Sequence, residues 1–231
     1  MKKYKLTDNT ITITRNGVKI TLHQIEALRD FANVKVGDKG GFIEHEANLS
    51  HDGTCWVYDY AWVYNDAYVS DHAEIRDRAE VYGYAKIYGS AEIYNYAKVY
   101  DNSEISGNAQ VYDHAQVCND VSIYDNALIY GNAQIRDKAL IYGNTAIFQN
   151  AKVYGNARVY GYARVDGNAE VCDNTHIRNY ARVFDTAKVC DNAEVYENAL
   201  IYGDAIIYGN SRVCGNSRVC GNSELCSSTI R

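Results

Sequence analysis

The side chains of this 231-residue chain best suited to chemistry are the three of its six histidines that lie within its repeat, a set of cysteines and one edge rich in tyrosine and arginine. A general base must lie within hydrogen-bond reach of the proton it takes, and a zinc centre needs three or four converging ligands. The chain repeats every six residues with three repeats to a turn, and this places His72, His114 and His176 on separate parts of the surface. They form neither a base–nucleophile pair nor a zinc triad. The cysteines number seven, six of them at one repeat position. Cys172 and Cys190 stand one turn apart, about 5 Å at the usual strand spacing, close enough for oxidation or weak metal binding. Cys214, Cys220 and Cys226 follow at six-residue steps, lie on three different faces and do not converge. The plainer account is that cysteine substitutes for tyrosine at this position. No catalytic residue, metal or cofactor is therefore assigned.

The tyrosine-rich edge suits binding better than catalysis. Tyr58, Arg76, Tyr94 and Tyr112 occupy one column, one turn apart, and Tyr60, Arg78, Tyr96 and His114 continue it around the adjoining corner. Tyrosine and arginine are enriched where proteins bind one another. Residues 56–127 also carry 12 acids against 4 bases, whereas residues 128–231 carry 10 acids and 11 bases. An acidic, tyrosine-rich half suits a basic protein partner. Columns of like side chains also stabilise parallel strands by stacking, which is the competing account of the same residues.

These side chains are positioned by the repeat. From Val57 to Leu225 every sixth residue is Val, Ile or Leu, 29 times without a slip, and four positions after each stands a small residue, usually alanine. We call the aliphatic residue the anchor. Strand side chains alternate faces, so the anchor and the small residue two places before it point inward, and the residues flanking the anchor point outward. Gly, Asp or Asn fills the second position after the anchor in 26 of 29 units. These residues tolerate the positive φ of a sharp corner. Three strands and three corners make a triangular coil, and the stack should reach about 45 Å at one strand spacing per coil.

The first 55 residues lie outside the repeat. Asn16-Gly17 between alternating apolar residues predicts a hairpin, while His23–Phe31 is open to either strand or short helix. This region reads as a β cap over the first coil, since an uncovered end exposes unpaired strand edges. At the other end Arg231 falls where a further anchor would be expected.

Anchor, two turn residues and a small residue together resemble the hexapeptide repeat of left-handed parallel β-helices. The resemblance covers about three quarters of the chain, and the left hand is what it implies. The stretch from Ala27 through Gly40-Gly41-Phe42-Ile43-Glu44 to Cys55-Trp56-Val57-Tyr58 also resembles hexapeptide-repeat proteins of bacteria and their phages. The expected fold is all-β: a cap over 1–55, then a single-stranded, three-sided left-handed β-helix of about ten coils over 56–231. Many enzymes with this repeat are acyl-CoA-dependent acyltransferases, whose resemblance implies a histidine base near a groove between subunits and loops that interrupt the coil. Neither the insertion-free repeat nor the scattered histidines fit that plan. Carbonic anhydrases of this class need three zinc-binding histidines, which also do not converge here.

The expected function is thus a non-catalytic interaction protein, phage-encoded and directed at a host or defence-system protein, with the acyltransferase as the alternative. Tyr58, Tyr60, Arg76, Arg78, Tyr94, Tyr96, Tyr112 and His114 are the expected contact residues. A homo-oligomer is expected from the exposed coil end or a tyrosine face. The net charge of −6 disfavours blanket nucleic-acid binding. Neither a signal peptide nor an apolar span is legible, so a cytoplasmic home and no membrane partner are expected.

Overall fold

A computed structural model describes residues 2–231. Strands β1 (Tyr4–Arg15), β2 (Val18–Ala27) and β3 (Lys39–Ile43) precede a one-turn 3-10 helix at Glu46–Asn48 and a long series of two- and three-residue strands. These short strands stack into three parallel sheets. Face one runs from Trp56–Val57 to Arg218–Val219, face two from Trp62–Val63 to Glu224–Cys226, and face three from Tyr68–Val69 to Thr229–Ile230. Pairing is in register with the residue 18 positions on, as in Glu92 with Gln110 and Ile93 with Val111. This is the three-sided solenoid expected from the period.

Each corner follows from local chemistry. The second residue after the anchor adopts positive φ throughout, whether glycine (Gly83, +71°) or a polar residue (Asp77, +58°). A Cβ on Gly83 would lie 2.8 Å from the backbone nitrogen of Asp101 in the next coil. Glycine therefore serves there for closeness as well as for φ. The small residue closes the turn by donating its N–H to the carbonyl three residues back, as Ala97 does to Tyr94 at 3.3 Å. Where that small residue is Ser or Thr, its buried hydroxyl can repeat the bond: Ser103 Oγ donates to the Tyr100 carbonyl at 2.9 Å.

Anchors from Val57 to Val219 are all buried, and Leu225 in the last coil is half-buried. Burying each contributes about 2 kcal/mol before chain entropy is subtracted. The residues just after the anchors are mostly half-buried rather than exposed, and Tyr64, Asp166, Cys172 and Cys214 are buried. Neighbours spaced by one strand cover one another's faces, and the hairpin covers Tyr64.

The hairpin turns at Asn16 (φ 49°) and Gly17 (φ 79°), as the dipeptide predicts. His23–Ala27 resolves as strand, not helix. β1 and β2 are antiparallel, β2 pairs with β3, and β3 runs parallel to Trp62–Val63, so the hairpin extends face two. Ile20, Leu22 and Phe42 then pack over Tyr64 on the outside of that face. Tyr4, Ile25, Ala27, Phe31 and Val34 share the core of the coils and close their end. Lys3 is buried in this junction, donating from Nζ to the Cys55 carbonyl at 2.8 Å and contacting Cys55 Sγ at 3.1 Å. Coil pairing begins before the strict repeat: Ile43 faces Val63 and Leu49 faces Val69, each offset by 20 residues because two extra residues precede Val57. At the far end Ile230, not Arg231, takes the anchor position opposite Val213. The last corner, through Ser227 and Ser228, is one residue shorter than the others.

Truncating Ile141 to alanine in the closed interior should cost about 2–5 kcal/mol in chemical denaturation, whereas Leu225→Ala in the last coil should cost far less. Equal losses would mean that the interior is not packed as described.

Candidate functional site

The residues of the tyrosine–arginine edge divide into two groups. On the flat side Arg76 lies over the Tyr58 ring at 5.2 Å and pairs with Glu74. Tyr94, Tyr112, Tyr130 and Phe148 form one continuous stack, with centroids 4.8–4.9 Å apart and planes within 2–3°. Similar stacks run through Tyr64, Tyr82 and Tyr100 on face two and Tyr124, Tyr142 and Tyr160 on face three. Each ring–ring contact is worth about 0.5–1.5 kcal/mol beyond area burial. Burial within the stack raises the Tyr94 phenol and pushes that of Tyr112 up to about 12. These rings are half-spent on holding coils together.

Around the corner the side chains stand out. Tyr60 is 67% exposed and Tyr96 49%. Arg78 lies between them in the column, 6.0 Å from the Tyr96 ring centroid, and makes no ion pair among the described residues. His114 stacks on Tyr96 at 5.0 Å. Asp59, Tyr60, Asp77, Arg78, Asn95 and Tyr96 line a shallow hollow of about 390 Å³. Its aspartates also hold the backbone in place, since Asp77 Oδ2 accepts the Asn95 N–H at 2.9 Å and Asp59 Oδ2 accepts that of Asp77 at 3.3 Å. The structure thus brings all eight edge residues onto one flank and leaves Tyr60, Arg78 and Tyr96 exposed.

The other reactive side chains are dispersed. His72 Nδ1 meets Thr54 Oγ1 at 2.8 Å, and His176 lies on face three, its pKa lowered by burial and by nearby Arg158. Burial pushes the Cys172 thiol up to about 12, so in the absence of a bound cation it is protonated and no nucleophile. Five of the six cysteines at the repeat position follow a tyrosine one coil earlier, as Cys118 follows Tyr100. Two features escaped the sequence reading. A second hollow, about 340 Å³, is lined by Asn144, Tyr162, Arg164, Tyr180, Arg182 and Leu200. Beneath it the buried Asp166 receives a bidentate pair of bonds from Arg182 at 2.8 and 2.9 Å. The only hint was Asp166 standing in a column otherwise filled mainly by aromatics.

With this geometry in view, comparison with known proteins bears on fold more than on the edge. A family model described as the YdcK beta solenoid repeat matches residues 151–167 and 199–215. The chain is a hexapeptide-repeat β-solenoid. It is 38% identical over 63 residues to a protein of Escherichia coli (strain K12) described as uncharacterized acetyltransferase YdcK. That match covers 26% of this chain and 19% of the relative's length. The segments matched by the family model lie outside the tyrosine–arginine edge. No helix is long and apolar enough to cross a membrane.

The stacked phenols give a pH test. A tyrosine whose native pKa lies above its ordinary value near 10 binds its proton more tightly folded than unfolded. Its stabilising contribution is complete below pH 10 and is lost as pH rises toward 12. Tyrosinate absorbance should lag behind that of free tyrosine, and stability should fall across this window. Ordinary titration with unchanged stability would contradict the stacks.

Proposed function

We propose that this protein is a rigid binding rod which engages a basic protein partner through the corner of Tyr60, Arg78 and Tyr96. The observation carrying this reading is that these large amphipathic side chains remain exposed, Tyr96 even while it stacks on His114, whereas the tyrosines of the adjoining flat face are half-buried in their stack. Tyr58, Arg76, Tyr94, Tyr112 and His114 support the corner from either side. The acidic surround would speed association with a basic partner and make it salt-sensitive. A host or defence-system protein contacted by a phage-encoded rod is the form of this reading that the first-coil resemblance suggests.

A second reading has one observation in its favour, the local likeness to a protein named as an acetyltransferase. It requires an acyl-CoA site completed by a neighbouring subunit, because the histidines of one chain are dispersed. Such an enzyme would be a homo-oligomer.

Affinity capture with the intact rod, followed by calorimetry with the purified partner, tests the first reading. Tyr60→Ala with Tyr96→Ala should weaken binding by about 2 kcal/mol or more, with anchors and fold intact. Unchanged affinity would assign the corner a purely structural role. Heat on titration with acetyl-CoA, scaling with the oligomeric fraction, would favour the second reading instead.

A further inference from the structure

Face two carries an interruption in its outward column. After Tyr154 come Cys172 and Cys190, and tyrosine resumes at Tyr208. Here alone among the columns do two cysteines stand in successive coils. Their thiols and the carboxylate of Asp173 have donor atoms all within 4.8 Å of one another. Cys172 is buried, Cys190 half-buried, and Asp173 is exposed at the corner, so the cluster is closed on its inner side and open on its outer side.

We propose that Cys172, Asp173 and Cys190 form a binding site for a thiophilic divalent cation, zinc foremost, with a fourth position open to water or an outside ligand. Two sulfurs and one carboxylate are a donor set suited to tetrahedral zinc. Magnesium and calcium require more oxygen ligands than the cluster offers. The backbone fixes the arrangement in advance. Val171 pairs in register with Val189, and the N–H groups of Cys172 and Cys190 each donate at 2.9 Å to the following coil. Asp173 is held at φ 59°, and its Oδ2 accepts the Asp191 N–H at 3.2 Å, which orients the carboxylate beside the thiols. Such supporting hydrogen bonds commonly set metal affinity. Lys188, just before the anchor Val189 on the same face, offsets part of the negative charge of a site with two thiolates and a carboxylate, while Lys152 is taken by Glu170 at 3.0 Å. Cys118, by contrast, lies between Tyr100 and Arg136 in its column and has no second thiol.

The test uses the full chain, fully reduced, titrated with Co²⁺ as a spectroscopic substitute for Zn²⁺ and then with Zn²⁺ to displace it. One equivalent of Co²⁺ should give a thiolate-to-metal charge-transfer band, lost in Cys190→Ser and kept in Cys118→Ser. Asp173→Asn tolerates the same corner conformation and should weaken binding by about tenfold or more. Because Cys172 is buried, the half-buried Cys190 carries the decisive substitution. As an independent readout, saturating Zn²⁺ should raise the thermal midpoint of the reduced parent but not of Cys190→Ser. Absence of the band in the reduced parent, or its survival in Cys190→Ser, would overturn the proposal.

Discussion

Amide N–H groups of one coil donate to carbonyls of the next, and this registry decides where every side chain can go. Tyr58 N–H bonds to the Ile75 carbonyl at 2.7 Å, Arg78 N–H to that of Asn95 at 2.8 Å, and the pattern repeats along the stack. A one-residue slip would turn anchors outward and tyrosines inward. The corner carboxylates reinforce the same registry: Asp71, Asp113, Asp125 and Asp185 each accept a glycine N–H one coil on, at 3.0–3.1 Å. Asparagines one position later join side chain to side chain, as in Asn132, Asn150 and Asn168. Aspartate at the corner therefore combines tolerance of positive φ with satisfaction of an amide in the coil above.

That constraint leaves little room for an active site within one chain. The interior is filled by anchors and alanines, and the flat faces are occupied by ladders of rings, carboxylates and basic side chains. The third position after the anchor is different. Its side chain projects from the corner and stays largely in solvent even where it stacks on the next coil, as Tyr96 does on His114 and Tyr162 on Tyr180, so Tyr60, Tyr84, Tyr96, Tyr162 and Tyr180 are exposed while Tyr94 and Tyr112 are half-buried. A recognition surface on such a rod is most readily built there, and the two tyrosine–arginine hollows both use this position.

Much of the fold was legible because a single period encodes it: anchors, small residues and corner residues each occupy one place in six. The Asn16-Gly17 hairpin was legible from its turn chemistry. Less visible were the features that break the period. Ile43 and Leu49 act as anchors, yet the two residues inserted before Val57 hide them from a strict count. The shortened last corner moves the anchor role from Arg231 to Ile230. The ring columns were readable from spacing of eighteen residues, but their division into covered and uncovered tyrosines depends on packing around each corner. Likewise the pairing of Cys172 with Cys190 followed from the period, whereas the approach of Asp173 required the corner geometry.

The central claim is that the tyrosine stacks of the flat faces are covered and hold the rod together while the tyrosines at the corners stay exposed to solvent. Limited nitration of the free protein, mapped residue by residue by mass spectrometry, tests it directly. Tyr60, Tyr84, Tyr96, Tyr162 and Tyr180 should react first, with Tyr112, Tyr130 and Tyr142 protected until the fold is lost. Modification of Tyr112 and Tyr130 in the folded rod as readily as Tyr60 and Tyr96 would contradict the account.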